Sequence, residues 1–294
     1  MPPLRRLVLP ALVLILGCAA LFPFLPFAQT GPRLLHSEPS QFGEVLVFEQ
    51  DGARCLNFNS MTALSRQTCM SLEYPDALLF SYARMMVSAL YVRPDPGTIL
   101  IVGLGGATLQ KALAGLLPNA TIDTVEIDPA VVKAAESWFG YRQSPTQRLF
   151  IEDGRAYIEQ ARRAGRRYDI VMLDAFDADY IPRHLTTVEF LEHVKAILAP
   201  DGIVVANTFT SSDLYEQESA TYAAVFGEFF NLRRNNRVIV AGKTGLPSDD
   251  VIARRADEWE PRLARLGIDK AQALRRFSER SQGASDGVAI LKDE

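Results

Sequence analysis

The amino-acid sequence predicts an α/β protein: a doubly wound parallel sheet with a small β section ahead of it and helices behind it. Three observations carry this prediction. Short apolar runs rich in β-branched residues recur between residues 98 and 207 and alternate with stretches of helical spacing, the order expected when helices cover both faces of a parallel sheet. The first of these runs leads into the glycine loop Gly103-Leu104-Gly105-Gly106, which opens a helix. Ahead of both stands Asp51-Gly52 between two β-rich runs, a hairpin signal because its glycine accepts the positive φ of a tight turn. With 294 residues, 48% hydrophobic and 22% charged, the chain is large enough to bury a sizeable core and lies outside the composition of disordered proteins.

The elements follow in chain order. Residues 7–27 carry no charge; as a helix rising about 1.5 Å per residue, such a run matches a bilayer core of about 30 Å. Arg5 and Arg6 before it and a more polar segment after it place the N-terminus inside and the body outside by the positive-inside rule. Residues 1–30 therefore read as an uncleaved transmembrane anchor or as an export signal. Lipidation at Cys18 is a third reading, since Ile15-Leu16-Gly17-Cys18 resembles a lipoprotein cleavage box. A buried helix of the body is the alternative, opposed by Pro10, Pro23 and Pro26.

Residues 41–95 read as a small β section, with a hairpin of 45–49 and 53–58, plus a helix over 76–92 marked by Leu79, Tyr82, Met86 and Leu90. Arg93-Pro94-Asp95-Pro96-Gly97 breaks the chain. Residues 96–245 read as the doubly wound domain, with strands expected at 98–102, 122–127, 148–151, 168–173 and 202–207. An antiparallel edge pair, 230–234 and 237–241, turns at Asn235-Asn236. Residues 246–294 read as a charged helical tail.

Charge and cysteine usage exclude some functions. The balance of 31 Lys+Arg against 35 Asp+Glu, net −4, lacks the basic footprint of a nucleic-acid binder. Cys18, Cys55 and Cys69 form no CxxC and no Cys/His set at zinc spacing, so no structural metal is expected.

In a doubly wound sheet ligands bind beyond the carboxyl ends of the strands, so the residues following each predicted strand are informative. After the first come Gly103, Gly105 and Gly106, which let backbone N–H groups approach a ligand. Glu126 ends the second strand 23 residues after Gly103, near the spacing at which an acid meets a ribose hydroxyl. A nicotinamide or an S-adenosyl nucleotide fits that pair, but the loop lacks the sixth-place glycine of GxGxxG, which tilts against a dinucleotide. Asp153-Gly154 follows the third strand: the carboxylate accepts from an exocyclic amine or caps the next helix. After the fourth strand, Asp174, Asp177 and Asp179 share one loop, a place for a base on an attacking amine and an acceptor for an ammonium. Metal binding and a solvated acidic loop are the competing readings.

Together, Ile99-Leu100-Ile101-Val102-Gly103-Leu104-Gly105-Gly106, Val125-Glu126-Ile127-Asp128-Pro129, Asp153-Gly154-Arg155 and Leu173-Asp174-Ala175-Phe176-Asp177 resemble the spermidine synthase (polyamine aminopropyltransferase) family over roughly residues 41–245. The resemblance implies a Rossmann-like S-adenosylmethionine-dependent transferase fold. The implied donor is decarboxylated S-adenosylmethionine, the acceptor putrescine or another polyamine, with no tightly bound cofactor. It further implies Glu126 on the ribose, Asp153 on the adenine amine, Asp174 as base, Asp177 on the acceptor's far ammonium, Tyr82 at the acceptor, and a homo-oligomer.

The departures concern the acceptor end. Gly105 stands where the family's glycine loop carries an amine-binding Asp, and Tyr82-Ala83-Arg84 replaces a Tyr-His-Glu triplet, so Arg84 would repel a diamine. His184 follows the acidic loop, either lining the acceptor pocket or opening a helix. His36 and His193 read as structural or exposed, Trp138 and Trp259 as packing residues. Cys55 and Cys69 read either as a disulfide of an exported domain or as buried thiols. Two other functions compete with aminopropyl transfer: methyl transfer from S-adenosylmethionine itself, and tethered, non-catalytic binding of a nucleoside or polyamine. Export favours the last, because S-adenosyl donors are expected in the cytoplasm.

Overall fold

Two sheets organise the chain. The computed structural model describes residues 31–62, 67–176, 180–283 and 287–293, and Gly31–Glu294 forms one compact unit. The N-terminal segment 1–30, Cys18 within it, and Asp177 and Asp179 of the acidic loop lie outside the described residues. No helix among the described residues is long and apolar enough to cross a membrane.

The first sheet is an antiparallel meander of β1 (Arg33–Ser40), β2 (Gly43–Gln50), β3 (Ala53–Phe58) and β4 (Thr68–Ser71). The expected hairpin is β2 and β3, which pair from Gln50↔Ala53 across Asp51-Gly52, with φ of 52° and 73° at the two turn residues. β1 and β4 flank it. Cys55 and Cys69 face each other in the β3–β4 register and form a disulfide.

Where a helix over 76–92 is expected, the chain makes turns to Phe80. The helix α1 (Ser81–Val87) follows and passes into a 3-10 turn, Ser88–Tyr91. The physical reason is Leu79, which is exposed to the cavity described below and does not continue the buried stripe of Met86 and Leu90.

The second sheet starts with β5 (Thr98–Val102) and alternates with α2 (Thr108–Leu116), β6 (Thr121–Glu126), α3 (Pro129–Trp138), β7 (Gln147–Ile151), α4 (Gly154–Arg163) and β8 (Tyr168–Leu173). A 3-10 turn, α5 (Val188–Ile197) and β9 (Leu198–Phe209) follow, then α6 (Tyr215–Phe226), β10 (Phe229–Arg233) and β11 (Asn236–Gly242). Segment 246–294 supplies α7 (Asp249–Leu263), α8 (Lys270–Phe277) and the short β12 (Arg280–Ser281). The strand order is β12-β10-β11-β9-β8-β5-β6-β7. β7, β6, β5, β8 and β9 are parallel, and β11, β10 and β12 add antiparallel pairs at one edge.

β5, β8 and β9 are buried over the apolar runs at 99–102, 170–172 and 203–206. One face packs against α1, α2, α7 and α8, with Trp259, Leu263 and Phe277 in that core. The other packs against α4, α5 and α6. α3 lies between sheets: its Val131 and Ala135 join Val45, Val47 and Leu56 of the meander in one cluster. That contact holds the meander over the carboxyl ends of the parallel strands, and burial of each such side chain is worth about 1.5–3 kcal/mol. The edge hairpin turns at Arg234-Asn235, one residue earlier than its sequence signal, because Arg233 pairs with Arg237 and Asn236 already belongs to β11.

Candidate active site

The topology reverses between β5 and β8: the chain winds outward from β5 to β7, then returns to build β8 and β9 on the other side. Such a switch point opens a crevice at the strand carboxyl ends. A cavity of about 830 Å³ lies there, lined by strand-end loops, the meander, α1 and the edge hairpin.

Gly103 follows β5 and Asp174 follows β8, and their backbones touch. A Cβ on Gly103 would fall 2.3 Å from the carbonyl oxygen of Asp174, and the Gly103 φ of +106° is one that residues with side chains rarely adopt. This glycine is required by the meeting of two strand ends. Leu104 N–H, the next donor in the loop, is turned onto Glu126 Oε2 at 2.9 Å, and Asp128 N–H donates to Oε1 at 3.0 Å. Burial raises the Glu126 carboxyl above its usual range, against the lowering effect of these backbone donors. Each oxygen keeps a lone pair for the cavity.

Asp153 takes up the capping role that is one of its two sequence readings. It caps α4, with Oδ1 accepting from Ala156 N–H at 2.9 Å, and it lines the cavity. Its Oδ2 stands 2.8 Å from Nε2 of His184, which lines the same wall. Gly154 is pressed against Val102, whose Cγ1 lies 2.5 Å from where a Cβ would be.

Asp174 is partly buried at the centre of the crevice. Its Oδ1 accepts from Asn207 Nδ2 at 2.8 Å, and Asn207 Oδ1 accepts from Asn236 Nδ2 at 3.2 Å. This relay ties the carboxylate to β9 and β11. Burial pushes the Asp174 carboxyl up to about 7, partly offset by the Asn207 amide. Tyr82 stacks on Phe80 with ring centres 6.0 Å apart and donates to the Gln67 carbonyl at 3.3 Å. Its hydroxyl is raised well above its ordinary range, first by burial and then by Asp174.

The structure therefore brings Gly103, Gly105, Glu126, Asp153, Gly154, Asp174 and Tyr82 onto one cavity wall. Gly106 stands outside that wall, where its α-carbon packs under Thr68 and Phe139. Sequence reasoning missed Asn207, Phe209, Arg234 and Asn236, because they come from a strand end and a hairpin with no motif of their own. Phe209 packs on Phe176 with centres 5.2 Å apart, giving this end aromatic walls. Among the described residues no group of three His, Cys, Asp or Glu could hold a metal ion.

The site can hold a nucleoside at Glu126 and Asp153 and present an amine to Asp174. A family model described as the spermine/spermidine synthase domain matches residues 79–236. The polyamine aminopropyltransferase of Vibrio vulnificus is 40% identical over 83% of this chain and 83% of its own. The human eEF1A lysine and N-terminal methyltransferase is 36% identical over 67% of this chain and 28% of its own. In fold, a probable spermidine synthase from Corynebacterium glutamicum superposes with a TM-score of 0.68 at 21% identity, covering 88% of this chain and 96% of that one.

Proposed function

The chain belongs to the spermine/spermidine synthase family, and from that premise we propose that it moves the aminopropyl group of decarboxylated S-adenosylmethionine onto an amine acceptor, with putrescine as the reference polyamine. Glu126 takes the ribose hydroxyls, and Asp153, whose Oδ2 also meets His184, takes the adenine amine. The sulfonium donor carries its own leaving group, so the protein supplies alignment and one base. The acceptor nitrogen forms a bond to the carbon next to sulfur. The carbon–sulfur bond breaks with its electron pair remaining on sulfur, and neutral methylthioadenosine leaves. The proton lost by the nitrogen goes to Asp174.

One observation carries this reading: Asp174, at the switch point in the same cavity as Glu126 and Asp153, has its carboxyl pushed up to about 7, where a base is effective near neutral pH. Calorimetric titration with decarboxylated S-adenosylmethionine, S-adenosylmethionine and methylthioadenosine tests it. Tighter binding of the decarboxylated donor and methylthioadenosine is expected; preference for intact S-adenosylmethionine would favour methyl transfer. That second reading draws on the methyltransferase relative and on Gly105, which leaves the acceptor end without the family's amine-binding acid.

The proposal extends to location and assembly. Residues 1–30 anchor the body at a membrane or direct its export, and the Cys55–Cys69 disulfide supports an oxidising compartment. A reporter fused after Glu294 reads the side: an external body would favour tethered, non-catalytic binding, whereas a cytoplasmic one would place it with its S-adenosyl donor. The body assembles as a homo-oligomer, which sedimentation would detect.

A further inference from the structure

Among the described residues, the charges at the end of the cavity beyond Asp174 are cationic. Arg84, on α1 two residues after Tyr82, and Arg234, at the tip of the β10–β11 hairpin two residues before Asn236, both line it. Arg84 Nη1 donates to the Leu78 carbonyl at 3.1 Å, which fixes the guanidinium and leaves most of its donors unused. Among the described residues no carboxylate lies within ion-pair distance of Arg84, Arg234 or the neighbouring Arg276. Like charge and burial act on two of them. Arg84 is lowered by burial and then by Arg234, while Arg276 is lowered by burial and then by Arg234 and Arg84, with Asp269 the sole carboxylate acting against this.

Three other arginines are forked onto carboxylates: Arg155 onto Asp293, Arg148 onto Asp123, and Arg54 onto Glu49. The half-buried Arg84 guanidinium is costly until an anion arrives, the exposed Arg234 adds its charge at the rim, and a planar carboxylate matches guanidinium donors two at a time. A diamine brings a second ammonium to the same place and meets like charge.

Resting on the aminopropyl reading above, we infer that Arg84 and Arg234 form an acceptor subsite for a carboxylate, so that the preferred acceptor is an amine whose far end is anionic. Its attacking nitrogen lies at Asp174, its aliphatic stem between Phe80, Tyr82, Phe176 and Phe209, and its carboxylate at the two arginines. The transfer step is that described above, with the carboxylate unchanged.

Steady-state turnover of the full chain with decarboxylated S-adenosylmethionine tests this. The acceptors compared are putrescine and γ-aminobutyrate, which puts a carboxylate in place of the far ammonium at similar length. The wild type is expected to favour γ-aminobutyrate in kcat/KM by about tenfold or more, the worth of one charge-assisted hydrogen bond. Arg84→Gln should remove that preference through KM, Arg84→Lys should restore part of it, and methylthioadenosine affinity should stay unchanged in both. If Arg84→Gln does not fold, Arg234→Gln, on the exposed hairpin, reads the same ratio. Preference for putrescine in the wild type, or a ratio unmoved by Arg84→Gln and Arg234→Gln, would overturn the subsite while leaving aminopropyl transfer intact. If Arg84→Gln weakened intact S-adenosylmethionine without moving the ratio, the carboxylate would belong to the donor, which also overturns it. Absence of turnover with every amine would overturn the aminopropyl reading and this inference together.

Discussion

The two ends of the cavity are built by different means. At the nucleoside end, Glu126 ends β6 and Asp153 follows β7, and both are held by backbone N–H groups of strand-end loops or the next helix: Leu104 and Asp128 for one, Ala156 for the other. At the amine end, Asp174 is held by side chains from distant elements, Asn207 on β9 and, through it, Asn236 on β11. A backbone-built end is tied to the fold and resists change. An end assembled from side chains on a helix, a strand end and a hairpin tip can exchange an acid for Arg84 or Gly105 without altering the sheet.

Several measurements break or sharpen that contrast. Asp174→Asn should lower turnover by about a hundredfold to ten-thousandfold, the usual worth of a general base, while nucleoside affinity is kept. In the wild type kcat/KM should climb as pH rises through about 7 and level off, and the variant should lose that limb. The stability sign is opposite. A carboxyl raised on folding gives stability that is fully present below its unfolded pKa and lost as pH rises through about 7. Asp174→Asn should therefore be more resistant to thermal unfolding than the wild type at pH above about 7; a lower melting temperature there would contradict the buried charge.

Gly103→Ala tests the junction of the two ends. Its positive φ alone costs about 1–3 kcal/mol, and the 2.3 Å approach to the Asp174 carbonyl must be relieved by moving the base. Urea denaturation and nucleoside titration should both show losses; wild-type values in both would mean that the strand ends do not meet as described. Replacing Cys55 and Cys69 together by Ser should cost about 3 kcal/mol, the loop-closure worth of a crosslink spanning this sequence separation of 14. His184→Ala should have the smallest effect, under about 1 kcal/mol because the pair is exposed to solvent. Its direction is informative: freeing Asp153 Oδ2 should tighten nucleoside binding, and weaker binding would show that His184 itself contacts the ligand.

The same contrast explains what could be read from the sequence. β5 and β8 match their expected bounds because each carries a short β-branched or apolar run, 99–102 and 170–173, stopped by Gly103 or Asp174. The nucleoside end follows from those stops by spacing alone. β1 escaped because Arg33–Ser40 is largely solvent-facing, polar and contains Pro39, so it lacks the period-two signal. β4 escaped because four residues carry no pattern. At the amine end, Arg84 was visible as a misfit to a motif. Arg234 was not, since in sequence it is one residue of a turn, and only pairing of β10 with β11 brings it to the cavity.

The most direct test of the account identifies the nucleoside product by mass. The full chain is incubated with an equal mixture of decarboxylated and intact S-adenosylmethionine and a panel of amines, beside Asp174→Asn. Methylthioadenosine released by the wild type and lost in the variant is the predicted result. S-adenosylhomocysteine as the product, or methylthioadenosine released equally by both proteins, would contradict it.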